Sequence, residues 1–214
     1  TTLLRTDFFR AAVFLISAVF LFSTQDVIVK WISHSYPVHE IVLIRSISGI
    51  IPLLFLAHFL GGVRALRTSR YAAHFARSFI MFSAYTCFYL SLAALPLAET
   101  VTLFFSSPFF IIMLSSVMLD EKIEIRCWIA VAVGFIGVIL MLKPDVNNIN
   151  PAALLAVLSA FFYALGSVIT RKLGKTESGI VLALFPTVAY ILYAGMVGLL
   201  LQLITIDNVT HPSL

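Results

Sequence analysis

Asp26 and Lys30 stand four residues apart in the stretch STQDVIVKW. On a helix they share one face with the acid N-terminal, the favourable order for a pair. Either they neutralise each other while Lys30 reaches for a membrane edge, or they face a watery cavity with Ser23, Thr24 and Gln25. In a cavity the carboxylate could hold a cation or exchange a proton. Arg45 falls about 12 Å into the next apolar run, at 1.5 Å per helical residue. A guanidinium at that depth stays charged and needs an acid or a set of carbonyls. Glu40, Asp26 and Glu99 belong to the same half, so Arg45 either locks helices through an ion pair or binds an anionic part of a substrate. Glu99, Thr102 and Ser106 lie on one face of a later run. Pro96 puts Glu99 in that helix's first turn, where its charge suits the positive dipole end. The alternative for Glu99 is contact with a substrate amine or a coupling cation. Phe82, Tyr85 and Tyr89 recur at helical spacing, and Tyr163 sits mid-run further on. Such rings either pack ordinarily or line a cavity that stacks a planar metabolite.

Other chemistries find no support. The histidines His34, His39, His58, His74 and His211 are scattered, and neither HExxH, GxSxG, a P-loop nor GxGxxG occurs. The sequence therefore points to no metal, no cofactor and no enzyme. Cys87 and Cys127 lie in or beside apolar runs and read as small buried residues, not a disulfide framework. The net charge of +4 is spread over short loops with no continuous basic stripe, which argues against nucleic acid.

The elements that must position these residues are membrane helices. Hydrophobic residues make up 61% and charged residues 11% of the chain, against about 45–50% and 25% in soluble domains. Leu95 to Pro144 alone holds two runs long enough to cross a bilayer, joined by the charged elbow DEKIEIR. Seven helices are expected, over Arg10–Ser33, Pro37–Leu60, Ala72–Leu95, Pro96–Leu119, Ile125–Leu142, Pro151–Lys172 and Gly179–Ile204. Pro37, Pro96 and Pro151 open helices, where a missing N–H does no harm. Strands are excluded by the absence of strict apolar–polar alternation. Ala130, Gly134 and Gly137 share one side of the fifth helix and predict close approach to a neighbour, a structural role.

With the N-terminus inside, eleven of the fourteen Lys and Arg residues fall on the inner side, leaving Lys30, Arg45 and Lys143 outside. That asymmetry predicts a multi-pass protein of a plasma (inner) membrane with a cytoplasmic N-terminus. The chain also repeats itself. Residues 11–20 lie over 153–162 without a gap, with Ala11/Ala153, Ser17/Ser159, Ala18/Ala160 and Phe20/Phe162 identical and Lys30 falling on Lys172. The copies are offset by five spans, so the second is inverted, a pattern frequent in secondary transporters. The lack of an initiator Met suggests a fragment or a trimmed chain, and no cleavage site follows the first run.

The stretch FSTQDVIVKW, Arg45, ALPLAETVTLFFSSPFF, the elbow LDEKIEIR and GFIGVILMLKP together resemble the EamA family of the drug/metabolite transporter superfamily. The resemblance runs from about Phe14 to Lys172. Within the family it is most similar to the S-adenosylmethionine uptake and riboflavin-transporter-like branch. It implies an all-α polytopic bundle of ten helices in two inverted five-helix halves around a central cavity, of which about seven are present here. Residues 10–142 would form the first repeat and 151–214 the start of the second. One departure is Asp120-Glu121, where many relatives carry Gly-Glu.

The function expected is secondary transport of a small organic metabolite across the lipid bilayer by alternating access. Asp26, Arg45, Tyr85, Glu99 and Tyr163 are the candidate substrate-binding residues. Asp26 or Glu99 is the coupling group if a proton or cation drives the cycle, and Lys30, Gly134 and Gly137 are structural. The alternative is a non-transporting membrane protein, an assembly factor or a truncated pseudo-transporter.

Overall fold

A computed structural model describes residues 2–33, 35–59, 68, 70–142 and 150–210. The described residues are helical throughout their length, broken only by short connections. The helices are α1 (Thr2–Ile32), α2 (Val38–Phe59), α3 (Tyr71–Ala94), α4 (Leu97–Phe104), α5 (Ser107–Met118), α6 (Ile125–Leu142), α7 (Pro151–Leu173) and α8 (Gly179–Thr210). Five segments are long and apolar enough to cross a membrane, namely α1, α2, α4 with α5, α7 and α8. This is an all-α, polytopic bundle. Lys143, Arg64, Arg67, His34, His211 and most of the 61–70 and 143–150 loops lie outside the described residues.

One element departs from expectation. The helix foreseen over Pro96–Leu119 is broken at Phe105 and Ser106 into α4 and α5. Pro108 sits in the first turn of α5. It has no N–H to offer the carbonyl of Phe104 four residues earlier, and its ring crowds that carbonyl. The span therefore restarts there, with the Ser106 hydroxyl donating to the Leu103 carbonyl at 2.8 Å.

Packing centres on α3 and α7. Along α7, Ala152, Ala156, Ala160 and Ala164 recur every fourth residue and are buried. They form a smooth stripe that lets neighbouring backbones close in. The tightest point is Gly166, where an added Cβ would stand 2.5 Å from Met81 Sδ. Helices α2 and α8, which the internal repeat makes equivalent, pack along one another. His39 meets Gly198 and Leu43 meets Gly195, a falling register that marks them as antiparallel. Gly134 and Gly137 on α6 are exposed, and a Cβ at either would meet nothing within 4 Å. The close approach expected of that face is thus not made among the described residues. The apolar outside of α1 and α6 is what a lipid-facing helix shows.

The two ends of the bundle differ in chemistry. At one end the start of α3, the elbow, the end of α7 and the start of α8 meet through polar contacts. Thr68 Oγ1 donates to Glu177 Oε1 at 2.9 Å, His74 Nε2 lies 3.7 Å from Glu177 Oε2, and Arg171 Nη1 donates to Glu121 Oε2 at 2.9 Å. At the other end Lys30 meets the end of α3. This clustering is what spans of alternating direction require.

Candidate functional site

A cavity of about 350 Å³ opens between α1, α3, α4 and α7. Its walls are mainly rings and aliphatic side chains. Phe22, Gln25 and Asp26 come from α1, Tyr85, Phe88 and Tyr89 from α3, Phe104 from α4, and Ser159 and Tyr163 from α7. Helical periodicity explains the grouping: Tyr85, Phe88 and Tyr89 are spaced three and one apart on one stripe of α3. The rings brace one another edge to face. Phe88 meets Phe104 at 5.2 Å, and Phe104 meets Tyr163 at 5.2 Å. Gln25 Nε2 donates to the Tyr89 hydroxyl at 2.9 Å, fixing that ring across the α1–α3 seam.

Three of the five expected binding residues, Asp26, Tyr85 and Tyr163, line this cavity. Arg45 does not line it but lies over the ring of Tyr85, 4.5 Å from the centroid. A guanidinium on a ring face is held by the ring's quadrupole. Among the described residues no acid forms an ion pair with Arg45, so the pairing considered for it with Glu40, Asp26 or Glu99 is replaced by an aromatic partner. Glu99 is half-buried in the first turn of α4, outside the lining. Its face-mates turn back on their own helix: Thr102 Oγ1 donates to the Ala98 carbonyl at 2.5 Å.

Of the two readings of Asp26 and Lys30, the pairing is not made among the described residues. Lys30 Nζ donates instead to the Leu92 carbonyl at 2.7 Å and the Leu95 carbonyl at 2.8 Å. The reason is Pro96. It cannot donate to Leu92, four residues earlier, so the end of α3 presents a bare carbonyl where a cation also suits the dipole. Asp26 is left without an ion pair or hydrogen bond among the described residues, and Arg45 reaches it only through its longer-range field.

Several residues in and behind the site escaped sequence reasoning. Ser159 lines the cavity with a buried hydroxyl that has no hydrogen-bond partner. Tyr190 of α8 stands edge-on to Tyr85 at 5.9 Å, backing the ring that carries Arg45. Phe82, grouped with Tyr85 and Tyr89 by spacing, instead packs against Tyr190 and Tyr193, away from the cavity. Arg77 and His74 are buried at the opposite end, where Arg77 Nη1 donates to Thr170 Oγ1 at 2.8 Å and His74 stacks on Phe185. The available signal for Arg77 was Pro186, whose missing N–H leaves a carbonyl in search of a donor.

Residues 9–143 match the model of the EamA-like transporter family. The chain belongs to that family. Among relatives of this EamA chain, an S-adenosylmethionine uptake transporter of Rickettsia prowazekii is 31% identical over 157 residues, 73% of this chain and 53% of the relative. A riboflavin transporter of Vibrio cholerae is 28% identical, covering 79% of this chain and 58% of the relative. A pseudopaline exporter of Pseudomonas aeruginosa is 31% identical, covering 78% and 59%. The EamA chain thus spans a little over half the length of the curated relatives it matches. No solved structure matches it.

Proposed function

We propose that this protein is a secondary transporter that moves a small organic metabolite across a plasma membrane by alternating access. The observation that carries the reading is the cavity, lined by α1, α3 and α4 of one repeat and α7 of the next. Secondary transporters built from inverted repeats place their substrate sites at such a repeat interface, near the bilayer midplane. Residues 10–142 act as the first repeat and 151–214 as the start of the second. Relatives named for S-adenosylmethionine, riboflavin and pseudopaline support a small organic metabolite as the substrate class.

In this reading Tyr85 of α3 and Tyr163 of α7 both face the substrate, and Arg45, lying on the Tyr85 ring, positions it. Asp26 is the coupling group if a proton or cation drives the cycle. Glu99, outside the lining, belongs to the mouth of the pathway. The N-terminus is cytoplasmic, from the excess of Lys and Arg on that side.

The test is transport of a labelled metabolite panel by the full gene product in proteoliposomes. Saturable movement of at least one metabolite, lost in Tyr163→Ala without loss of folded protein, is the expected result. A folded protein that moves no metabolite of the panel in either direction would sink the proposal. External labelling of a Cys placed at Arg67 would overturn the orientation separately.

A further inference from the structure

We infer that the inner end of the bundle is closed by a latch, Glu177 gripped by Thr68 and His74, and that the proton on His74 decides how firmly it holds. The inference rests on the transporter reading and names what must part before the cavity opens inward. Its first support is position. Thr68 Oγ1 donates to Glu177 Oε1 at 2.9 Å, and His74 Nε2 stands 3.7 Å from Glu177 Oε2. Beside them Arg77 holds Thr170 and the Leu182 carbonyl, and Arg171 of α7 holds Glu121 of the elbow. Each of these contacts joins one repeat to the other. At the opposite end Lys30 ties α1 to α3 within a single repeat. Between latch and cavity the α3–α7 seam is shut by Met81, whose Sδ would stand 2.5 Å from a Cβ at Gly166. Met81 is four residues from Tyr85 and Gly166 three from Tyr163, both in the cavity lining. An inward path along this seam opens only when α3 and α7 part, and the latch with them.

The second support is that closure leaves polar groups unsatisfied. His74 is fully buried, yet neither ring nitrogen has a hydrogen-bond partner. Arg77 Nε and the Ser78 hydroxyl, three and four residues on and so on the same face of α3, are buried and unpartnered as well. Buried polar atoms in that state are costly, and water entering an opened seam would satisfy all of them. The charge on His74 is what offsets that cost. At 3.7 Å its contact with Glu177 is too long for a hydrogen bond but short enough for an ion pair. Protonated, His74 is drawn to the carboxylate, whereas the neutral ring offers it little. The charged groups that act on His74 are Glu177, from the connection between α7 and α8, and Arg77, from α3 itself. Arg77 stays charged throughout, and α8 presents the ring of Phe185, stacked at 4.8 Å. Gaining a proton therefore tightens the latch, and losing it loosens the latch.

The distance across the latch tests this. Spin labels on Ala72→Cys and Lys175→Cys, both exposed positions, flank it in the full gene product with Cys87 and Cys127 replaced by Ala. Their separation in nanodiscs is measured by double electron–electron resonance at about pH 5.5 and about pH 8, either side of histidine's ordinary titration. One short distance is expected at the lower pH, and a longer one at least about threefold more populated at the higher. Glu177→Gln and His74→Gln are each expected to show the longer distance at both pH values. Distances that ignore pH in the otherwise unchanged protein, that still follow it in either variant, or that stay short in both variants overturn the inference. The pH comparison without a latch variant decides the matter even where a variant fails to fold. The two readings fail differently. A latch that opens as expected in a protein moving no metabolite removes the transporter and keeps the latch. Saturable transport with a separation indifferent to pH and to Glu177→Gln removes the latch and keeps the transporter.

Discussion

Arg77 donates through Nη2 to the carbonyl of Leu182 at 2.7 Å, the oxygen that Pro186 four residues later deprives of its helical donor. Proline inside a membrane helix is tolerated where a neighbour satisfies the freed carbonyl. Here that neighbour is a buried guanidinium on α3, whose other arm holds Thr170 of α7. One side chain thereby ties three helices at the polar end of the bundle. Lys30 does the equivalent at the opposite end, for the Leu92 carbonyl freed by Pro96.

The Arg77–Pro186 relationship is measurable as a coupling. Arg77→Met strands the Leu182 carbonyl and is expected to destabilise the protein by about 1.5–3 kcal/mol, the usual worth of a buried charge-assisted hydrogen bond. Pro186→Ala gives Leu182 its helical N–H back. In thermal unfolding, Arg77→Met should therefore cost less in the Pro186→Ala background than alone. Strict additivity of the two changes would show that Arg77 does not serve that carbonyl.

Lys30 and Asp26 should likewise separate. If the carbonyls are what Lys30 holds, Lys30→Met lowers the unfolding temperature while Asp26→Asn does not. An ion pair between them would make the two losses comparable, since either change would strand the other charge. Equal destabilisation by both variants would restore the pairing that their spacing suggests.

Those contrasts mark what was legible in the sequence. Run lengths and proline positions located the helices, because a bilayer dictates span length and backbone satisfaction together. Asp26, Tyr85 and Tyr163 could be singled out because polar and aromatic residues are conspicuous in such runs. Their partners could not. Whether Asp26 meets Lys30, or Lys30 meets a carbonyl 62 residues away, depends on how helices sit beside each other, which periodicity within one helix does not encode. The break at Phe105 and Ser106 was written in Pro108, but a proline in an apolar run reads equally well as a kink.

Asp120 carries a local signal that tertiary packing does not obscure. Its φ of 51° is the sole positive value at a non-glycine among the described residues. The left-handed region costs an L-residue about 1–2 kcal/mol, less for Asp, whose short side chain bonds locally. Asp120→Gly is expected to be neutral or slightly stabilising in thermal unfolding. Asp120→Val should destabilise by about 1–2 kcal/mol. A Val variant as stable as wild type would mean that the elbow relaxes to another turn at no cost.

Small residues on two helices make opposite predictions. Sequence spacing favoured Gly134 and Gly137 on α6 as a contact face, yet an added Cβ there meets nothing within 4 Å. At Gly166 the same atom would stand 2.5 Å from Met81 Sδ and 2.8 Å from its Cγ, in the seam where α7's alanines lie on their neighbours. Gly166→Val should therefore overpack the seam and destabilise by about 1–3 kcal/mol. Met81→Ala should remove much of that penalty by clearing the space the new branches need. Gly134→Ala should instead gain about 0.5–1 kcal/mol, because a helix interior prefers Ala and nothing there resists a methyl group. The measurement is thermal unfolding of Gly166→Val, Met81→Ala, the two combined, and Gly134→Ala in one lipid composition. If Gly134→Ala proves as damaging as Gly166→Val, then α6 packs against a partner in the membrane and its glycine face is a contact after all.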